Sequence, residues 1–231
     1  MKKKFFTLIE LMVVIVVMII LITMSIAAYR TLITGRIVDA SAKSVGSRIL
    51  MARQLASGKH RYVAVLLPGF HTGMQTEKAY SAFNAAYVTY DSGANTYTFD
   101  RFVEGSQWRY TMVGCRIMEA DDDQGIQNST AALYPKAPVD DNISVVDNVD
   151  LSALGLGTTV DSVRALIFNG AGRVKGDTRY VTIGECNFLG PGKWKVTGVD
   201  SLEKNKSCAN QITLEVNRFS GSMRYIYPLD Y

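Results

Sequence analysis

The chain has 231 residues, 48% hydrophobic and 20% charged, a composition that excludes a disordered or collagen-like polypeptide and suffices for one folded domain with an appendage. Its formal net charge is +4, from 25 Lys+Arg against 21 Asp+Glu. That surplus is small, and where it sits matters more than its size.

Lys2, Lys3 and Lys4 open the chain, and from Phe5 to Ala28 Glu10 is the only charged residue. The uncharged stretch Leu11 to Ala28 is 18 residues long, and the run counted from Phe5 is 24. About 20 helical residues cross a hydrocarbon core of roughly 30 Å, so this run can span a membrane. Lysines before it and no cationic cluster just after it place the N-terminus in the cytoplasm and the remainder outside. A cleavable secretory signal would use the lysines as its basic region and Ser25-Ile26-Ala27 as a small-x-small cleavage site. Against that reading stand the length, since such apolar regions run to roughly 7–15 residues, and Glu10. A carboxylate in hydrocarbon costs about 2.5–3.5 kcal/mol and marks function.

The string Phe6-Thr7-Leu8-Ile9-Glu10-Leu11-Met12-Val13-Val14 resembles the class III signal of type IV pilins and type II secretion pseudopilins. The resemblance implies cleavage between Phe5 and Phe6 by a prepilin peptidase, N-methylation of Phe6, and retention of the apolar helix in the mature chain. It also implies assembly roles for Thr7 and Glu10, other pilins or pseudopilins as partners, and a single pass through the inner membrane with a periplasmic head, followed by entry into a filament. One position departs: Phe5 stands where the family carries Gly. After cleavage the Phe6 amine lies one helical turn from Glu10, and staggered packing lets the same carboxylate meet the amine of a neighbouring subunit. Either pairing offsets the cost of a charge in an apolar medium. The alternative is a Glu10 that merely reaches the interface.

Beyond Ala28 the helix is expected to continue. Ile33, Ile37, Val45, Ile49, Ala52 and Ala56 fall on one helical face with Ser41 filling the gap, while Arg36, Lys43, Arg48 and Arg53 lie mostly off it. Gly58 with Lys59 is the expected stop. An unbroken helix from Phe6 to Ser57 would be about 78 Å long. Gly35 and Gly46 are its weak points, and it contains no proline.

The rest reads as strands: Arg61 to Leu67, Ala86 to Tyr90, Tyr97 to Val103, Gln107 to Val113, Val163 to Phe168, Arg179 to Ile183, Lys193 to Val199, Ile212 to Phe219 and Met223 to Tyr227. Alternation in Ile212 to Asn217 suits a sheet with one face on the helix. The fold class is therefore α+β, a long N-terminal helix packed on a β-rich globular head. Its expected parts are a leader at 1–5, a membrane or filament-core helix at 6–28, an amphipathic extension at 29–58 and a head at 59–231, with a loop insertion near 115–160.

Within the head, Ala52-Arg53, Tyr62-Val63-Ala64-Val65, Ile167-Phe168-Asn169-Gly170-Ala171-Gly172 and the closing strand pair around Gly221 are similar to H-type minor pseudopilins and their FimT-like relatives. That resemblance does not cover Phe70 to Asp161. There, Asp121-Asp122-Asp123-Gln124-Gly125 and Asp140-Asp141-Asn142 flank a turn-rich segment. Oxygen ligands before a glycine suit Ca²⁺, but no downstream Glu completes a loop of EF-hand spacing, so a solvated loop is the expectation and no metal is assigned.

Cys115, Cys186 and Cys208 form an odd set. In an oxidising compartment one disulfide and one thiol is the simplest arrangement, and Cys186 with Cys208 closes the shorter loop; three buried, reduced cysteines are the alternative. The chain has no Cys-x-x-Cys pair, Gly-x-Ser-x-Gly elbow or phosphate-binding glycine loop, so neither catalytic residues nor a cofactor is expected.

The leading function is a minor pseudopilin that assembles through its helix for protein secretion or pilus biogenesis. One alternative is a DNA-binding FimT-like minor pilin using Arg218 and Arg224; another is a membrane-anchored periplasmic enzyme or binding protein. Loss of the three leader lysines leaves 22 Lys+Arg against 21 Asp+Glu, a balance of +1. Nucleic acid is accordingly not expected as a partner.

Overall fold

The computed structural model describes residues 8–69, 78–118, 126–127, 144–155, 159–190, 193–196 and 211–227, with α1 side chains described at 8–23, at 25 and from 36 onward. The chain divides into two units, Met1–Arg36 and Ile37–Tyr231, and one helix, α1 (Leu8–Lys59), contributes to both.

In the first unit every described large apolar side chain from Leu8 to Ile22 is exposed, on all sides of the helix. Such a helix has no polar face to give to water. Thr23 and Ser25 turn their hydroxyls back onto the Ile20 and Leu21 carbonyl oxygens, both at 2.8 Å, which satisfies these polar groups within the helix itself. Among the described residues no helix is long and apolar enough to cross a membrane; in sequence, the apolar run continues past Thr23 to Ala28.

In the second unit α1 buries Val38, Ala42, Val45, Ile49, Ala52 and Ala56, spaced three or four residues apart, with Ser41 beside Ala42. Ser41 to Ala56 follow the expected face. Val38 is buried where Ile37, half-buried, was expected to point inward, and the Ile33 side chain lies outside the described residues. Arg48, expected off the stripe, is 5% exposed. It sits three residues after Val45 and four before Ala52, so its aliphatic stem belongs to the same flank. The helix ends at Lys59 as expected, but the left-handed residue that closes it is His60 (φ 50°), with Arg61 N–H donating to the Ala56 carbonyl at 3.3 Å.

Five strands pair into a closed ring. β1 (Val63–Leu66) pairs antiparallel with β2 (Ala82–Asp91) on one edge and with β8 (Thr159–Phe168) on the other. β2 continues to β3 (Thr96–Phe102), β3 pairs in parallel with β7 (Ser144–Asp150), and β7 returns to β8. Alternation along the strands sends Val63, Val65, Ala85, Leu166 and Phe168 into the core containing α1, and Ala64, Leu66, Ala86, Ala165 and Ile167 into a second core. The small alanines fit the crowded interior of a narrow barrel. β4 (Arg109–Tyr110) adds to β2 at the end of this sheet.

The second sheet has the order β12-β11-β9-β10-β6. It comprises β6 (Ile126–Gln127), β9 (Arg179–Gly190), β10 (Lys193–Val196), β11 (Gln211–Val216) and β12 (Met223–Ile226), and β5 (Cys115–Ile117) pairs with β9. Ile212, Leu214 and Val216 face α1, as their alternation predicts. The opposite face of β11 is also buried at Thr213, whose hydroxyl lies 2.9 Å from that of Thr182.

Two strand expectations are corrected. Gln107 to Val113 yields only β4, because Val113 and Gly114 form a turn, with Gly114 at φ 88°. β11 stops at Val216, because the Asn217 carboxamide accepts hydrogen bonds from the Phe219 and Ser220 amides and turns the chain. Residues 115–160, expected as a loop insertion, include β5 and β7, each paired within a sheet; 119–125, 128–143 and 156–158 lie outside the described residues.

Gly46, weak for helix propensity, has a packing reason. A Cβ there would fall on the Tyr225 hydroxyl and 2.8 Å from the Met223 methyl, so the bare backbone seats β12. Gly46→Leu is expected to destabilise the head by about 1–3 kcal/mol despite a gain of roughly 1 kcal/mol in propensity. Urea unfolding checks this; an unchanged midpoint would contradict the seating.

Candidate functional site

Glu10 lies in the first turn of α1 and is exposed. A carboxylate there faces the partial positive charge of the helix N-terminus, typically worth about 0.3–1 kcal/mol. Phe5, Phe6 and Thr7 lie outside the described residues. What this part of the chain offers is a rod of exposed Leu, Ile, Val and Met side chains carrying one carboxylate. Such an all-round apolar surface has no polar face to give to water.

At the other end of α1, three of the stretches singled out in the sequence come together. Gly172 (φ 71°) presses on the helix: a Cβ there would lie 3.3 Å from Ser57 Cβ and 3.5 Å from Arg53 Cγ. Gly221 (φ 62°) lies over the same arginine: a Cβ there would lie 3.1 Å from Arg53 Cδ and Nε and would clash with the Gly172 carbonyl oxygen. His60 Nδ1 lies 3.3 Å from the Gly170 carbonyl oxygen. The Asn169 carboxamide holds the glycine turn by accepting from Ala171 and Arg173 amides, both at 3.0 Å. Arg53, Gly172 and Gly221 thus form a structural junction that clamps both sheets to the helix.

Arg48 was not singled out as a site in the sequence. Its Nη2 donates to the Gln107 carbonyl at 3.3 Å, and burial, with Arg109 nearby, pulls its guanidinium pKa below the ordinary value. The three-and-four spacing to Val45 and Ala52 was the available signal. Lys43 pairs with Asp39 one turn earlier at 2.6 Å, and that hydrogen bond raises its pKa.

The cysteines divide between cores. Cys115 on β5 faces α1, and burial pushes its thiol pKa up. Cys186 on the adjacent β9 belongs to the other core, although its amide donates to the Gly114 carbonyl at 2.7 Å. The two side chains therefore lie on opposite faces of the sheet. Cys208, and with it the expected pairing to Cys186, lies outside the described residues, as do Asp121 to Asp123 and Asp140 to Asn142.

Arg218 and Arg224 each face a carboxylate. Arg218 Nη1 is 2.6 Å from Asp177 Oδ1, and Arg224 Nη2 is 2.8 Å from Glu215 Oε2, its cross-strand neighbour. These exposed pairs contribute little stability, about 0–1 kcal/mol each, but each carboxylate offsets the positive charge a phosphate would meet.

No protein-family model and no curated protein matches the chain. Among solved structures, the chain is similar to the minor pseudopilin EpsH from the type 2 secretion system of Vibrio cholerae, at 10% sequence identity and a TM-score of 0.37, over 83% of this chain and 97% of that one.

Proposed function

We propose that this chain is a minor pseudopilin: a structural subunit that a prepilin peptidase processes at Phe5–Phe6, that the inner membrane holds by its N-terminal helix, and that joins other pilins or pseudopilins in a periplasmic filament. Its work is assembly rather than catalysis. The observation that carries the reading is the α1 segment Leu8 to Ile22, apolar and exposed on every side, with Glu10 as its one charge. A helix of this kind is stable only in lipid or among other apolar helices, and a subunit that moves from membrane to filament meets both. The motif at Phe6 to Val14 supplies the resemblance to the family. Nucleic-acid binding through Arg218 and Arg224 is not favoured, since Asp177 and Glu215 face them.

Reporter fusions test the topology. Alkaline phosphatase joined after Tyr231 is expected to be active and β-galactosidase at the same point inactive, as an N-terminus held inside by Lys2 to Lys4 requires. The opposite pair of activities would contradict the reading.

A further inference from the structure

The turn that follows β4 holds apolar side chains out of the head. Val113 is 94% exposed, and Met112 and Tyr110 are 51% and 42% exposed. Hydrogen bonds fix the turn in place. Met112 N–H donates to Ser41 Oγ at 2.9 Å, Cys115 N–H donates to the Met112 carbonyl at 2.9 Å, and the Thr111 hydroxyl donates to the Cys115 carbonyl at 2.7 Å. Gly114 closes it at φ 88°. Val113 is therefore held in water rather than folded back onto the core, and apolar groups presented in this way mark an interaction surface.

The turn lies where α1 enters the head. Ser41 is one helical turn past Ile37, and a Cβ on Gly114 would lie 3.9 Å from Ile37 Cδ1. β12 runs toward the same end: the Tyr225 hydroxyl lies against Gly46, and Tyr225 and Tyr227 both act on the charge of Lys43. Lys43 is itself paired with Asp39, so this pair adds no net charge. Tyr227 is 43% exposed. With Tyr110 it gives this end of the head rings that are apolar in body and polar at the tip, the character favoured at a membrane–water boundary.

We propose that the Met112–Val113 turn docks on a lipid surface, its two apolar side chains entering the boundary between headgroups and acyl chains and Tyr110 and Tyr227 lying at headgroup level. The inference rests on the membrane-held helix proposed above. Nine residues of α1 separate Ala28, the last of the apolar run, from Ile37, about 14 Å of helix. Tilt of the helix lowers that height further. With the run in a bilayer, so short a tether keeps the turn beside the headgroups at high effective concentration, which makes lipid the occupant rather than a partner that must diffuse in.

The test uses the full chain in phosphatidylcholine nanodiscs, with bimane on Val113→Cys and lipids carrying a nitroxide just below the headgroup; label taken up by the unsubstituted chain is the blank. Quenching by at least about twofold is expected, and Met112→Asp, at an exposed position, is expected to remove more than about half of it. Bimane on Phe219→Cys is expected to stay unquenched. Phe219 is exposed in the turn of Gly221, which packs on Arg53, and Arg53 is 16 residues or about 24 Å of helix beyond Ile37. Bimane on Thr23→Cys reports the anchor separately. Quenching at 23 without quenching at 113 would overturn the docking alone; no quenching at either would overturn the membrane-held reading with it. Quenching at 113 that matches 219, or that Met112→Asp leaves unchanged, would overturn the docking too. So would a concentration-dependent blue shift of the 113 label in lipid-free detergent, because a second copy would then be the occupant.

Discussion

Glu10→Val is expected to leave the chain fully inserted in the membrane while reducing its incorporation into the filament by more than about tenfold. The two effects have opposite signs because the carboxylate plays opposite parts in the two environments. In the membrane-held state we propose, it costs about 2.5–3.5 kcal/mol, so valine would make insertion easier. In the proposed filament core of packed apolar helices, the processed N-terminal amine of an adjoining subunit would need an anion. Removing one partner of a buried pair costs about 3–5 kcal/mol, because the remaining charge is left uncompensated. Fractionation reads the first effect, and crosslinking or recovery with sheared filaments reads the second. Incorporation at the normal level would show that Glu10 does no more than reach the interface.

Gly221→Ala is expected to be the most damaging small substitution in the head, costing about 2–4 kcal/mol. Two penalties combine there. The backbone sits at φ 62°, where an L side chain is strained, and the new methyl would clash with the Gly172 carbonyl oxygen beside Arg53. The nearest atom is a backbone oxygen, so no side-chain rotation relieves the clash. Gly58→Ala is the matched control, because it lies within α1 with nothing within 4 Å of its Cβ position. That change is expected to be neutral or to stabilise by up to about 1 kcal/mol. Thermal and urea unfolding of the two variants measure the contrast, and similar midpoints would remove the junction from the list of features that hold the sheets to the helix.

Much of α1 was legible because a single helix writes its burial directly into sequence. Val45, Ile49, Ala52 and Ala56 repeat with the helical period and are all buried, and the end near Gly58 and Lys59 follows from composition. The position of β1, β3, β11 and β12 was legible in the same way, from short β-branched and aromatic runs. Closure of the barrel was not. Alternation reveals which face of a strand is buried, not which strand lies beside it, and the ring depends on the parallel pairing of Tyr97 with Val146 across an intervening stretch of chain. β7 itself was hidden because Asp147, Asn148 and Asp150 interrupt its apolar pattern, and Asn148 is at φ 60°. The neighbours of Arg218 and the stacking of Arg116 on Trp194 likewise join distant positions through tertiary structure. No local spacing encodes them.

The N-terminal segment presents the reverse case, since its sequence says more than its local structure. Under the proposed function, the lysines, the apolar run and Glu10 serve an order of events: orientation, cleavage, then packing of the exposed apolar rod. Most of the chain's net positive charge lies in Lys2 to Lys4 and would leave with the proposed leader. The intact mass and N-terminal sequence of the chain, after co-expression with a prepilin peptidase, test that order most directly. A mature chain beginning at methylated Phe6 is the predicted result; a chain left whole, or cut near Ala27, would contradict it.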